Sequence, residues 1–215
     1  MLSDKIRIII LNYKRPENVH RIIDVYKGFF PITVINNNPN EFFPYVGQPV
    51  DVINNHKNYY CMERWHRCYE YSEPFKFLID DDLIVHPEDI LRMATLDQTM
   101  VGIYGKSKVS TASRYEELTD HWCVHAEVDF LVGAGILVKQ SKLDAIFDKV
   151  SNLGFPRRGD DIIISALLKI NSNCKLYTVP AKVLNLPEGD VGLNKDPNHF
   201  LMRWNVVEKF KNLTW

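Results

Sequence analysis

A glycine loop for holding phosphates is missing from this chain. It has ten glycines, and neither the GxxxxGK[ST] nor the GxGxxG spacing occurs among them, which excludes the two commonest backbone cradles for nucleotide phosphates. Cysteine is scarce as well: Cys61, Cys68, Cys123 and Cys174 form no CxxC pair, so neither a zinc site nor a disulfide framework is expected, and a reducing cytoplasm is the natural compartment. No apolar run approaches the roughly 20 residues needed to cross a bilayer. The strand-like segment from Ile6 leaves no room for a signal peptide's apolar region. Charge of one sign is lacking too. With 26 Lys and Arg against 27 Asp and Glu, the net charge is −1, and no global field attracts nucleic acid. Linkers, repeats and low-complexity tracts are absent, so residues 1–215 read as one domain, able to stand within a longer chain.

What is present is organised around Phe75-Lys76-Phe77-Leu78-Ile79-Asp80-Asp81-Asp82-Leu83-Ile84-Val85. An apolar run rich in Phe and Ile reads as a buried strand, and it runs straight into three consecutive carboxylates. Adjacent like charges repel and are costly to desolvate. A hard divalent cation, Mn²⁺ or Mg²⁺, removes that cost. At the carboxyl end of a strand in an open α/β sheet, the triplet also stands where such sheets bind ligands. An isolated acidic triplet is equally compatible with a solvated turn, so the surrounding pattern has to decide.

Residues 6–11 form a nearly continuous apolar strand of the kind found in parallel sheets covered on both faces. Asn12-Tyr13-Lys14-Arg15 follows, and Pro16 opens a helix with Val19, Ile22, Ile23 and Tyr26 at helical spacing. Strands at 32–35 and 50–53 end in the amide-rich turns Asn36-Asn37-Asn38 and Asn54-Asn55. A helix within 58–71 holds Arg64, and its stripe of Met62, Trp65 and Tyr69 reads as core. Beyond the triplet come a helix opened by Pro87 and a strand at 101–104. Residues 105–120, rich in Ser, Thr, Lys and Glu, read as an exposed loop, and 122–132 as one strand. Gly133-Ala134-Gly135 permits close backbone approach. A helix capped by Ser141 follows. Asp160 and Asp161 then precede an apolar helix at 162–170, where acidic residues also suit the helix dipole. A turn-rich loop spans 185–193, and a closing helix at 198–210 turns Phe200, Leu201, Trp204 and Val207 inward. This alternation predicts an α/β fold with a Rossmann-like, mostly parallel sheet flanked by helices.

Strand-end carboxylates without a glycine loop suit a nucleoside-diphosphate sugar, whose departing diphosphate needs its charge neutralised by a metal. Asp80-Asp81-Asp82 then reads as a DxD motif. Further pieces stand in order: Tyr13-Lys14-Arg15, Asn36-Asn37, Arg64, Val128-Asp129-Phe130-Leu131-Val132-Gly133-Ala134, Gly159-Asp160-Asp161-Ile162 and His199-Phe200-Leu201-Met202-Arg203. Over nearly its whole length the chain resembles metal-dependent glycosyltransferases of the GT-A fold, specifically the carboxyl-terminal catalytic domain of the exostosin family. It is also similar to glycosyltransferase domains encoded by chloroviruses, which implies a viral protein working in the host cytoplasm.

The resemblance implies roles. Leu11, Tyr13 and Arg15 would lie beside uracil and ribose, while Asn36 or Asn37 and Arg64 would hold base and phosphates. Asp80 and Asp81 would face ribose and sugar, and Asp82, with Asp80, would bind Mn²⁺ or Mg²⁺. Asp161 and Asp160 would sit by the transferred sugar and the acceptor, and Arg203 by the leaving diphosphate. The implied reaction is retaining transfer from a UDP-sugar to a glycan, glycoprotein or other hydroxyl acceptor. One departure stands out: the exostosin pattern places bridged cysteines where this chain has Gly159 and Val206. The competing readings are a nucleotidyltransferase of similar sheet topology, which usually has a glycine-rich basic loop where Asn12–Pro16 stands, and a non-catalytic sugar- or nucleotide-binding module.

Overall fold

The computed structural model describes residues 1–45, 47, 49–96, 100–154, 156–172, 174–187 and 195–214. Most of the expected turn-rich loop, residues 188–193, lies outside them.

The chain opens with β1 (Ile6–Asn12), α1 (Pro16–Tyr26), β2 (Ile32–Asn36), β3 (Val50–Asn54), α2 (Met62–Arg67) and β4 (Phe75–Asp80). β3, β2, β1 and β4 lie side by side in that order, all parallel. The continuous apolar character of β1 has a plain cause. Ile6, Ile8 and Ile10 point into a core beneath α1, whereas Ile9 and Leu11 point into a second core with Trp65 of α2. A strand covered on both faces cannot alternate apolar with polar. The carboxyl ends are in register, with Asn12 beside Asn36 and Asn36 beside Asn54. All the polar residues at these ends therefore face one edge of the sheet, where open α/β sheets bind ligands.

Past the acidic triplet come β5 (Leu83–Val85), α3 (Pro87–Thr95), β6 (Met100–Gly102), β7 (Tyr104–Ser107), β8 (Thr119–Trp122), β9 (Ala126–Val128), β10 (Phe130–Leu131) and β11 (Ile136–Lys139). Then follow α4 (Gln140–Asp144), α5 (Phe147–Ser151), α6 (Asp160–Ser172), β12 (Leu176–Thr178), β13 (Val183–Asn185) and α7 (His199–Thr214). The main sheet continues from β4 through β11, β6, β12 and β9, with β11 antiparallel to both its neighbours and β12 parallel to β6. A small antiparallel sheet of β10, β7 and β8 sits against it.

Four local expectations need correction. Residues 105–120 are not an exposed loop: they contain β7 and the start of β8, and Val109, Ala112, Tyr115 and Leu118 form a third buried cluster with Phe130, Ile162, Trp204 and Val207. Val109, Ala112, Tyr115 and Leu118 recur at every third position, a period that fits neither the 3.6 of an α-helix nor the 2 of a strand, and polar residues fill the gaps. The stretch 122–132 is three short strands rather than one, because the chain passes between the two sheets. Lys139, in extended conformation, precedes α4, which places Ser141 inside the helix. In α7, Trp204 and Val207 are buried, but Phe200 is 43% and Leu201 59% exposed.

Candidate active site

At the carboxyl ends of β1 and β4 lies a cavity of about 810 Å³, within the usual size range of small-molecule sites. Leu11, Tyr13, Arg15, Asn37, Arg64, Asp80, Asp81, Asp82, Asp160, Asp161 and Arg203 all line it. Asn36 does not. Its side-chain nitrogen donates to the Glu41 carbonyl and to Asn54 Oδ1, and its Oδ1 accepts from Asn12, so it braces the strand ends behind Asn37.

The acidic triplet divides by exposure. Asp81 is the most enclosed, accepting from the Tyr13 amide at 2.7 Å and from Arg15, whose same nitrogen also reaches Asp82 at 3.1 Å. It clamps the turn after β1, where Lys14 sits at φ +64°, a left-handed conformation uncommon for a residue with a Cβ. Burial pushes the Asp81 carboxyl up to about 6, against the pull of the Tyr13 amide and Arg15. Asp80 and Asp82 keep 36% and 27% of their side-chain surface open. Burial of its surroundings also pushes Asp80 up; Arg64 opposes this, while Asp82 and Asp160 add to it.

Arg64 joins the two carboxylate sets. It is 2% exposed and donates to Asp80 at 2.6 Å, to Asp160 at 3.1 and 3.3 Å and to the Gly133 carbonyl at 3.1 Å. Burial disfavours its charge, but Asp160 and Asp80 outweigh that and hold its pKa well above the ordinary guanidinium value. Trp65 Nε1 also donates to Asp160, at 2.8 Å. A Cβ at Gly133 would collide with the Arg64 guanidinium, so the close approach allowed by Gly133 is used, and used by Arg64.

Asp161, the second residue of α6, is held separately. Its Oδ2 accepts from the Gly133 amide and from Arg203, both at 2.9 Å, and its Oδ1 from the Ile162 amide. Arg203 Nε in turn donates to the Tyr115 hydroxyl at 2.7 Å. Burial opposes the Arg203 charge, yet Asp161 and Tyr115 raise its pKa. The Tyr115 hydroxyl is pushed up to about 12, chiefly by burial.

Several cavity residues escaped the sequence reading: Asn58, Tyr60, Cys61, Tyr104, Tyr115, Arg157, Arg158 and Phe200. Tyr115 had one visible signal, being an aromatic with Val109 and Leu118 in a polar stretch. His199, expected to be structural, also lines the cavity; burial, with Arg203 and Arg158 nearby, lowers its pKa to about 4. Among the described residues, no three His, Cys, Asp or Glu side chains form a metal cluster, and no helix is long and apolar enough to cross a membrane.

No family profile and no curated protein sequence matches the chain. Solved structures do match. GalNAc-T7, crystallised with UDP, GalNAc and Mn²⁺, aligns over 94% of this chain and 47% of its own, with a TM-score of 0.60 at 11% identity. S. aureus TarS 1-349 in complex with UDP-GlcNAc aligns over 87% of this chain and 59% of its own, with a TM-score of 0.55 at 13% identity. The chain thus spans about half to three-fifths of the length of these structures. At such identities the likeness is one of fold, and the fold is GT-A.

Proposed function

We propose that the chain is a metal-dependent glycosyltransferase that moves a sugar from a UDP-sugar to a hydroxyl of a glycan or glycoprotein acceptor, with retention of anomeric configuration. The observation behind this reading is the convergence of two carboxylate sets on one cavity: Asp80 and Asp82 at the end of β4, and Asp160 and Asp161 at the start of α6. The fold shared with GalNAc-T7 and TarS, solved with UDP or a UDP-sugar, supports it.

The donor set suits a hard divalent cation. Asp80 and Asp82 each pair with one arginine, Arg64 and Arg15, yet stay partly open, whereas Asp81 is enclosed by the Tyr13 amide and Arg15. Two carboxylates fall short of a full coordination shell, and Mn²⁺ or Mg²⁺ characteristically completes it with substrate phosphates and water. Bound there, the cation would neutralise charge on the departing diphosphate.

The protein's own groups supply the rest. Asn37, Leu11 and Tyr13 offer the base a polar and apolar wall, and Arg15 and Arg203 offer charge to the ribose-phosphate side. Asp160 is 3% and Asp161 2% exposed, and each is tied to a buried arginine. Neither is free to take a proton from an acceptor, as an inverting base must be. That favours retention, in which the bond from the anomeric carbon to the diphosphate oxygen breaks, the acceptor oxygen bonds on the same face, and the departing diphosphate takes the hydroxyl proton. The four cysteines are unpaired thiols, which suits the cytoplasm as the proposed compartment.

Calorimetric titration with UDP tests the reading. Affinity should be clear with Mn²⁺, be lost in EDTA and be lost in Asp82→Ala without unfolding. Equal affinity with and without the metal would sink it. NMR of the product's anomeric configuration tests retention.

A further inference from the structure

The cavity also has an aromatic side. Phe200 is 43% exposed on the first turn of α7 and, unlike an apolar residue scattered on the open surface, it lines the cavity. It is also immobilised: its ring lies face to face on Tyr115, with centroids 5.5 Å apart and planes 14° apart, and His199 meets its edge at 5.2 Å. Tyr115 itself is buried and joined through Arg203 to Asp161. Tyr104 and Val132 line the same region. The exposed face is therefore rigid, apolar and connected by two hydrogen bonds to the carboxylate beside the proposed reaction centre.

On the basis of the proposed function, we infer that Phe200 is the platform of the acceptor subsite, and that the acceptor presents there a pyranose ring rather than a peptide side chain. One face of a pyranose is a patch of C–H bonds with slight positive charge, which matches the negative face of an aromatic ring. A platform fixed beforehand loses no side-chain entropy on binding. Arg157, more than half exposed at the rim, can donate hydrogen bonds to the outward hydroxyls. At the strand ends the cavity carries Asp80, Asp82 and Arg15, which suit the diphosphate and its cation instead.

Saturation-transfer NMR tests this with a panel of methyl α- and β-pyranosides and a serine/threonine peptide, each added to protein holding UDP and Mn²⁺. At least one glycoside should receive saturation, strongest at the protons of one ring face. Phe200→Ala should weaken that glycoside about tenfold, the size of a lost aromatic stack, while Phe200→Tyr keeps it and UDP affinity stays the same in all three proteins. Saturation of the peptide but of no glycoside, no saturation at all, or equal glycoside affinity in Phe200→Ala each overturns the inference. Failure of the wild type to bind UDP would show instead that the glycosyltransferase reading itself is wrong.

Discussion

Asp161 is gripped from three directions: the Gly133 and Ile162 amides and the Arg203 guanidinium. Both members of the ion pair are buried, with side chains 3% and 7% exposed, so removing one charge strands the other. Asp161→Asn should therefore lose about 3–5 kcal/mol of stability, the usual cost of breaking a buried pair. Its transfer rate should fall roughly 10²-fold or more, as expected for a lost electrostatic group at a reaction centre. The two effects separate in Asp161→Asn/Arg203→Gln, which should regain much of the melting temperature but none of the transfer. Recovery of both in the double variant would reduce Asp161 to a structural anchor. At this scale much of the site was legible: acidic residues after a strand and before a helix, and arginines in ordered company, mark themselves by chemistry. What no residue type could reveal was the division of labour. That Asp81 is enclosed by Tyr13 and Arg15 while Asp80 and Asp82 stay partly open depends on how the end of β4 packs against the turn after β1.

Among the elements, α7 has the least transparent role. It presents Trp204 and Val207 to the core, Arg203 to Asp161, and His199 and Phe200 to the cavity. His199 is surrounded by Arg203 and Arg158, which disfavour its protonation, and by Asp161 and Asp196, which favour it. With burial as the largest effect, its folded pKa falls to about 4, against about 6.5 unfolded. Between these values the unfolded chain binds the extra proton, so this contribution is complete above pH 6.5 and disappears as pH falls toward 4. His199→Gln should flatten the dependence, losing about 2–4 °C less than wild type between pH 7 and 4.5, or roughly 1 kcal/mol once solvent screening of the half-buried ring is allowed for. Parallel melting curves for the two proteins over that window would refute it. The segment holding β7 and Tyr115 was misread at the same scale. Its burial is supplied by Phe130, Ile162 and Trp204, none of them sequence neighbours.

For the molecule as a whole, the informative pair is Gly159 and Val206. The exostosin pattern bridges cysteines at these two positions, and here a Cβ on Gly159 would lie 3.3 Å from Val206 Cβ, close to the separation a disulfide requires. The two positions meet without a bridge, and Val206 occupies the space. Gly159→Cys/Val206→Cys should form a disulfide on oxidation. Closing a loop of that length is worth about 4 kcal/mol, reduced by about 1–2 kcal/mol for a side chain at the φ of +79° found there. The oxidised variant should melt higher than its reduced form, whereas the wild type should melt alike with and without reductant. An oxidised variant no more stable than the reduced one would mean that the two segments are not so placed.

The order of strands and helices up to β4, the parallel character of that half and most polar residues of the cavity follow from the sequence alone. Those features rest on local rules: apolar runs, helical spacing, turn residues and charges too costly to leave uncompensated. Tertiary structure alone decided that Asn37 lines the cavity while Asn36 does not, that Gly133 makes room for Arg64, and that Phe200 stacks on Tyr115 at the cavity wall. Each of these depends on residues tens of positions apart meeting in space, and the packing that brings them together leaves no periodic trace along the chain.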